Sequence, residues 1–140
     1  LNADRIRVIQ VVTNLLSNAS KYSGEGAEIS VQVEAARGEL AVSVDDSGIG
    51  MSRQEQTALF TPLFRADTVE TRSEDGTGLG LVIVKTIVES HGGEISFVSE
   101  PGKGSTFRVT FPNCADTPSQ EYLSAERTTP KTVACRSRLA

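Results

Sequence analysis

Gly76-Thr77-Gly78-Leu79-Gly80-Leu81 constrains this chain more than any other stretch. Three glycines at alternate positions lead straight into Leu81, Val82, Ile83, Val84, Ile87 and Val88, an apolar pattern at helical spacing. Such a loop lets the backbone approach a ligand closely. The helix behind it offers unpaired N–H groups and the positive end of its dipole. The expectation is an anion site, for phosphate, at the start of a buried helix. Glycine-rich turns also serve merely to reverse the chain, so the weight of this reading falls on the elements upstream.

Residues 3–22 have a strong helical pattern, with Val8, Val11, Val12, Leu15, Leu16 and Ala19 as the buried stripe. Gln10, Asn14, Ser17, Asn18 and Lys21 fall on another face, and Asn2 or Asp4 can cap the start. Asn14 and Asn18, four residues apart, project side by side. After the break at Ser23-Gly24-Glu25-Gly26 come two alternating runs, Glu28 to Ala35 and Glu39 to Asp45, which read as a hairpin with one face on the core. The second run enters Asp46-Ser47-Gly48-Ile49-Gly50, placing a carboxylate and two glycines at a strand's C-terminal edge. Ser52 and Glu55 form a capping-box pattern for a short helix through Phe60.

From Thr61 to Asp75 the period disappears, and a loop of this length leading into the glycine turn reads as a lid. A second long helix over 79–90 stops at His91-Gly92-Gly93, and strands 94–99 and 105–111 follow. Residues 113–140, rich in Thr, Ser, Ala and charge, carry no sustained period and read as a disordered tail. The 140 residues suit one domain, and a net charge of -4 argues against nucleic acid or a membrane surface as partner. No run approaches the roughly 18 apolar residues of a membrane span. Cys114 and Cys135 lie outside the patterned region, which fits a reducing, cytoplasmic setting.

The order helix, hairpin, lid, helix, hairpin describes an α/β sandwich (α+β), with helices on one face of a mixed sheet. Its polar elements supply what ATP requires. An asparagine oxygen is a hard ligand suited to Mg²⁺, a buried Asp46 can accept from an exocyclic amine, and the Gly76–Gly80 backbone can hold phosphates. A dinucleotide fingerprint would need G-x-G-x-x-G directly after a strand, and a P-loop would need G-x-x-x-x-G-K-[ST]. Neither is present. Ser/His/Asp hydrolysis would depend on His91, the one histidine, whose place at a Gly-Gly helix end suits a capping role.

These motifs resemble the catalytic, ATP-binding domain of sensor histidine kinases, within the group that includes gyrase, Hsp90 and MutL. The stretch from Asp4-Arg5 to Lys21-Tyr22 is similar to the N box, Asp46 to Gly50 to the G1 box, Phe60 to Arg65 to the F box, and Gly76 to Leu81 to the G2 box. The resemblance implies a Bergerat-type fold with a mostly antiparallel sheet, a catalytic domain over 1–112 and a lid over about 61–77. It implies that Asn18 ligates Mg²⁺, that Asn14 supports the metal or its water, and that Lys21 approaches the phosphates. Tyr22 would line the nucleotide site, Asp46 bind the adenine amine, and Gly48 and Gly50 shape the adenine pocket. Gly76, Thr77, Gly78, Leu79 and Gly80 would form the phosphate-side turn, and Arg65 or Arg72 would reach the γ-phosphate.

In the ATP-hydrolysing relatives a glutamate stands at the position of Asn14, and an amide cannot serve as that base. The resemblance therefore implies a protein-histidine kinase of two-component signalling; a related ATPase or serine kinase of the same group is one alternative, against which Asn14 and the F box respectively count. Its partners would be the phosphoacceptor histidine domain of the same kinase and, downstream, a response regulator. A nucleotide-deficient docking module is the remaining alternative. His91 lies in the wrong motif to accept phosphate, so this fragment would bind ATP without phosphorylating itself. Two residues depart from the pattern: Leu63 replaces a usual phenylalanine of the F box, and Asp75 a common glycine.

Overall fold

The computed structural model describes residues 4–36, 38–63, 78–112 and 132–136. Helix α1 (Arg5–Tyr22) starts where Asp4 accepts the Ile6 N–H at 2.9 Å, which selects Asp4 from the two candidate caps. Strands β1 (Glu28–Ala36) and β2 (Glu39–Asp46) form the expected hairpin. Helix α2 (Arg53–Ala58) carries the full capping box: Ser52 Oγ accepts the Glu55 N–H and Glu55 Oε2 accepts the Ser52 N–H. Helix α3 (Gly80–Ser90) precedes strands β3 (Glu94–Glu100) and β4 (Gly104–Pro112).

The strands form one sheet in the order β3-β4-β2-β1, with a fifth strand beyond β1. Every pairing is antiparallel, so the described strands contain no parallel part of the expected mixed sheet. Register places Asp46 opposite Ile29 on one side and opposite Ser105 on the other, at the end of the sheet where the G1 turn begins. Helices α1 and α3 pack on each other and on one face of the sheet. Val11 and Leu15 of α1, Val84 and Val88 of α3, Val44 of β2, and Val109 and Phe111 of β4 meet there and are wholly buried. The opposite face is polar, with Arg108 Nη1 3.0 Å from Glu34 Oε2. The apolar alternation of β1 outruns this cover toward the hairpin tip, where Val33 is 50% exposed.

His91 holds the two helices together, which extends the capping role expected of it. Its Nδ1–H donates to Ile87 O at 2.7 Å, and its Nε2 accepts the Asp4 N–H at 3.3 Å. The ring stands edge-on to Phe111. One side chain thus closes the C-terminus of α3 and abuts the start of α1.

The tail does not remain structureless throughout. Strand β5 (Thr132–Arg136) pairs antiparallel with β1, Thr132 opposite Gln32 and Arg136 opposite Glu28. Five residues are too few for a period-2 pattern to stand out in a background of Thr, Ser and Ala. What selects a strand there is the free edge of β1, whose unpaired N–H and C=O groups attract a further strand. The rest of the expected tail lies outside the described residues. Deleting residues 132–140 should uncover that edge and lower stability by about 1 kcal/mol, a fall of roughly 5 °C in the thermal midpoint. An unchanged midpoint would show that β5 contributes nothing.

Candidate functional site

One face of α1 is turned to the core, so the opposite polar residues must border the space between α1, the G1 turn and the start of α3. A cleft of about 180 Å³ lies there. Of the residues expected at a site, Asn14, Asn18, Lys21, Tyr22, Asp46, Gly50, Gly78 and Gly80 line this one cleft. Gly48 and Leu79 are not among the lining residues: Gly48 lies against Tyr22 O, and Leu79 is the residue before α3. Arg65, Arg72, Gly76 and Thr77 lie outside the described residues.

At one end of the cleft α3 begins without a side-chain cap, so its first N–H groups lack the partner that a Ser or Asp would supply. Gly80, its first residue, faces α1 so closely that an added Cβ would lie 3.6 Å from Asn14 Oδ1 and 3.9 Å from Asn18 Oδ1. Two hard oxygens and the positive end of a helix dipole therefore share one corner. That donor set fits a cation and an anion bound together. Leu63 and Gly78 meet just outside it, the Leu63 N–H donating to Gly78 O at 3.2 Å. Both residues have positive φ, 63° for Leu63 and 68° for Gly78, and Leu63 carries the strain of that conformation with a side chain.

At the other end Asp46 is buried, 8% exposed. Its Oδ1 accepts the Gly48 N–H at 2.9 Å, and the Ser105 N–H donates to the same carboxylate. Burial raises its pKa, and the charge of Asp45 adds to the rise; the two backbone donors oppose it. A carboxylate has about four acceptor positions, so it can still receive a donor from the cleft. The turn after it admits little alternative. A Cβ on Gly48 would strike Tyr22 O, and one on Gly50, at φ 66°, would strike Glu100 O.

Further lining residues were not anticipated as part of the site, among them Ser105, Phe107 and Glu55. Ser105 reaches it because β4 pairs with β2, and its Oγ is 2.8 Å from Ser99 Oγ on β3. Phe107, two residues on, stacks on Phe97 at 5.8 Å, and Phe97 meets Phe60 edge-on at 5.9 Å. Glu55 lines the cleft while serving its cap. Ser105 and Phe107 both lie in the strand expected over 105–111, and strand order carries Ser105 to Asp46.

The family model described as histidine kinase-, DNA gyrase B- and HSP90-like ATPase matches residues 3–114. The sensor-like histidine kinase SenX3 of Mycolicibacterium smegmatis is 38% identical over 120 residues, covering 86% of this chain and 30% of that protein. The sensor protein SrrB of Staphylococcus aureus is 40% identical over 109 residues, covering 78% of this chain and 19% of that protein. The chain thus spans less than a third of the length of these relatives. Among solved structures, the mycobacterial sensor histidine kinase MprB superposes with a TM-score of 0.66 at 30% identity, over 79% of this chain and 72% of that one. The catalytic domain of the histidine kinase ThkA, in a nucleotide-free form, gives 0.67 at 33% identity, over 79% and 70%. The chain belongs to the histidine kinase-, DNA gyrase B- and HSP90-like ATPase family, and it comprises the ATP-binding domain of the sensor histidine kinases in that family.

Proposed function

We propose that this domain holds Mg²⁺-ATP and presents its γ-phosphoryl group to a histidine on a separate phosphoacceptor domain of the same kinase. The observation that carries this reading is the corner where Gly80 opens α3 opposite Asn14 Oδ1 and Asn18 Oδ1. Asn18 would ligate the metal, with Asn14 beside it or holding one of its waters. Mg²⁺ takes one or two protein oxygens and completes its shell with phosphate and water. That division suits a chain whose described residues hold no cluster of three His, Cys, Asp or Glu side chains. When bound, the metal would neutralise phosphate charge. The N–H groups of α3 would hold the phosphates, with Lys21 on the same cleft wall, and Asp46 would accept the adenine amine.

The lining of the cleft favours transfer over hydrolysis. Asn14 stands at the metal corner, and an amide cannot take a proton from water. Catalysis would then rest on positioning and charge neutralisation, the terms that dominate phosphoryl transfer. Arg65 or Arg72 would add charge at the γ-phosphate. Outside the cleft, Leu79 and Ile83 of the α3 end are 36% and 37% exposed, and Ile6 and Ile9 of α1 are 75% and 54% exposed. Exposed apolar groups of this kind suit a surface that docks the phosphoacceptor domain. A response regulator would take the phosphoryl group from there. No helix among the described residues is long and apolar enough to cross a membrane.

Calorimetric titration with a non-hydrolysable ATP analogue, with and without Mg²⁺, tests the reading directly; absence of binding by the folded domain would sink it. Asn18→Ala should abolish the gain that Mg²⁺ confers, and an undiminished gain would place the ligand elsewhere. Asp46→Asn should weaken binding about 10- to 100-fold, the loss expected for a charged hydrogen bond.

The pH dependence has a definite sign. The ionised carboxylate receives the amine, so binding lowers the raised pKa of Asp46. Affinity should therefore fall as pH drops through that raised value. For the free domain the linkage is opposite: a raised folded-state pKa favours folding below the ordinary value of 3.8, and that contribution is lost as pH rises through the folded value. In Asp46→Asn both pH effects should vanish, as read by titration and by unfolding across acidic buffers.

A further inference from the structure

Lys85 lies on α3, outside the cleft, with its Nζ 5.2 Å from the centroid of the Phe60 ring. The same Nζ is 3.8 Å from Glu89 Oε1, with side chains 43% and 58% exposed, an ion pair of little consequence at that distance and exposure. The ring contact differs because Phe60 is itself held, edge-on, by Phe97, which stacks on the buried cleft residue Phe107. Phe60 also begins the turn that ends at Leu63, whose strained backbone donates to Gly78 O. Gly78 leads through Leu79 into the start of α3, opposite Asn14 and Asn18. Lys85 therefore bears on a ring that adjoins both the cleft wall and the turn meeting Gly78.

We propose that Lys85 is a positioning residue of the nucleotide site: its ammonium, held over Phe60, sets the 60–63 turn against α3 and keeps Leu63 bonded to Gly78. Its side chain does not line the cleft. The attraction between a cation and the ring quadrupole requires the charge, so arginine preserves it and methionine, which keeps most of the apolar stem, does not. The inference rests on the ATP-site reading for one of its two readouts only.

The test compares Lys85→Met, Lys85→Arg, Glu89→Gln and Phe60→Leu. One readout is hydrogen exchange at the Leu63 amide in nucleotide-free protein; the other is titration with a non-hydrolysable ATP analogue. Lys85→Met should speed exchange and weaken binding, each about two- to fivefold. Lys85→Arg and Glu89→Gln should match the native protein. In a Phe60→Leu background, Lys85→Met should have no further effect, as two residues acting through one contact require. Unchanged exchange in Lys85→Met, a loss that persists with Phe60 replaced, or failure of arginine to restore the native values would each overturn the proposal. If Phe60→Leu does not fold by circular dichroism, restoration by arginine decides. If the native protein binds no analogue, the ATP reading fails by itself, and exchange at Leu63 still decides on Lys85.

Discussion

The packing of α1 against α3 and the sheet is the constraint on which the site depends. Val11, Leu15 and Ala19 are buried at spacings of four residues, and a helix with that stripe inward has one orientation left. Asn14, Asn18 and Lys21 then face the cleft, and the start of α3 lies beside the two asparagines. His91 fixes the far end of the same pair, bonding to Ile87 O within α3 and to the N–H of Asp4 at the start of α1. Core burial and the corner proposed for metal and phosphate are thus two faces of one helix.

Asp46 imposes a second demand. A carboxylate out of water is costly unless donors meet it, and Gly48 and Ser105 supply two N–H groups from opposite sides. They do not cancel the burial, and the pKa stays raised. The acceptor positions left on the carboxylate suit this end of the cleft to the adenine amine proposed for it. The glycines nearby serve this arrangement sterically: at Gly48 and Gly50 a side chain would collide with the backbone of Tyr22 and Glu100.

Much of the fold was legible because its signals are local. The Ser52–Glu55 box, the Asp4 cap and the His91-Gly92-Gly93 stop involve residues within four positions of one another, and each occurs where expected. The same holds for the grouping of Asn14 with Asn18, which a 3.6-residue period alone dictates. Less legible were features made by distant partners. The aromatic contacts Phe60–Phe97–Phe107 join three elements and leave no periodic trace. Strand β5 was hidden for a related reason: its five residues become a strand by meeting the edge of β1, about a hundred positions earlier.

Periodicity, capping chemistry and glycine placement thus determine the helices, the hairpins and the residue types offered to a ligand, since each is settled by neighbours along the chain. The tertiary structure alone decided that Ser105 reaches Asp46, that Gly80 faces the two asparagines, and that the sheet ends in β5 with every pairing antiparallel. Those outcomes depend on which strand edges and helix faces find each other once the core is buried. That is a property of the whole packed arrangement, carried by no single stretch of residues.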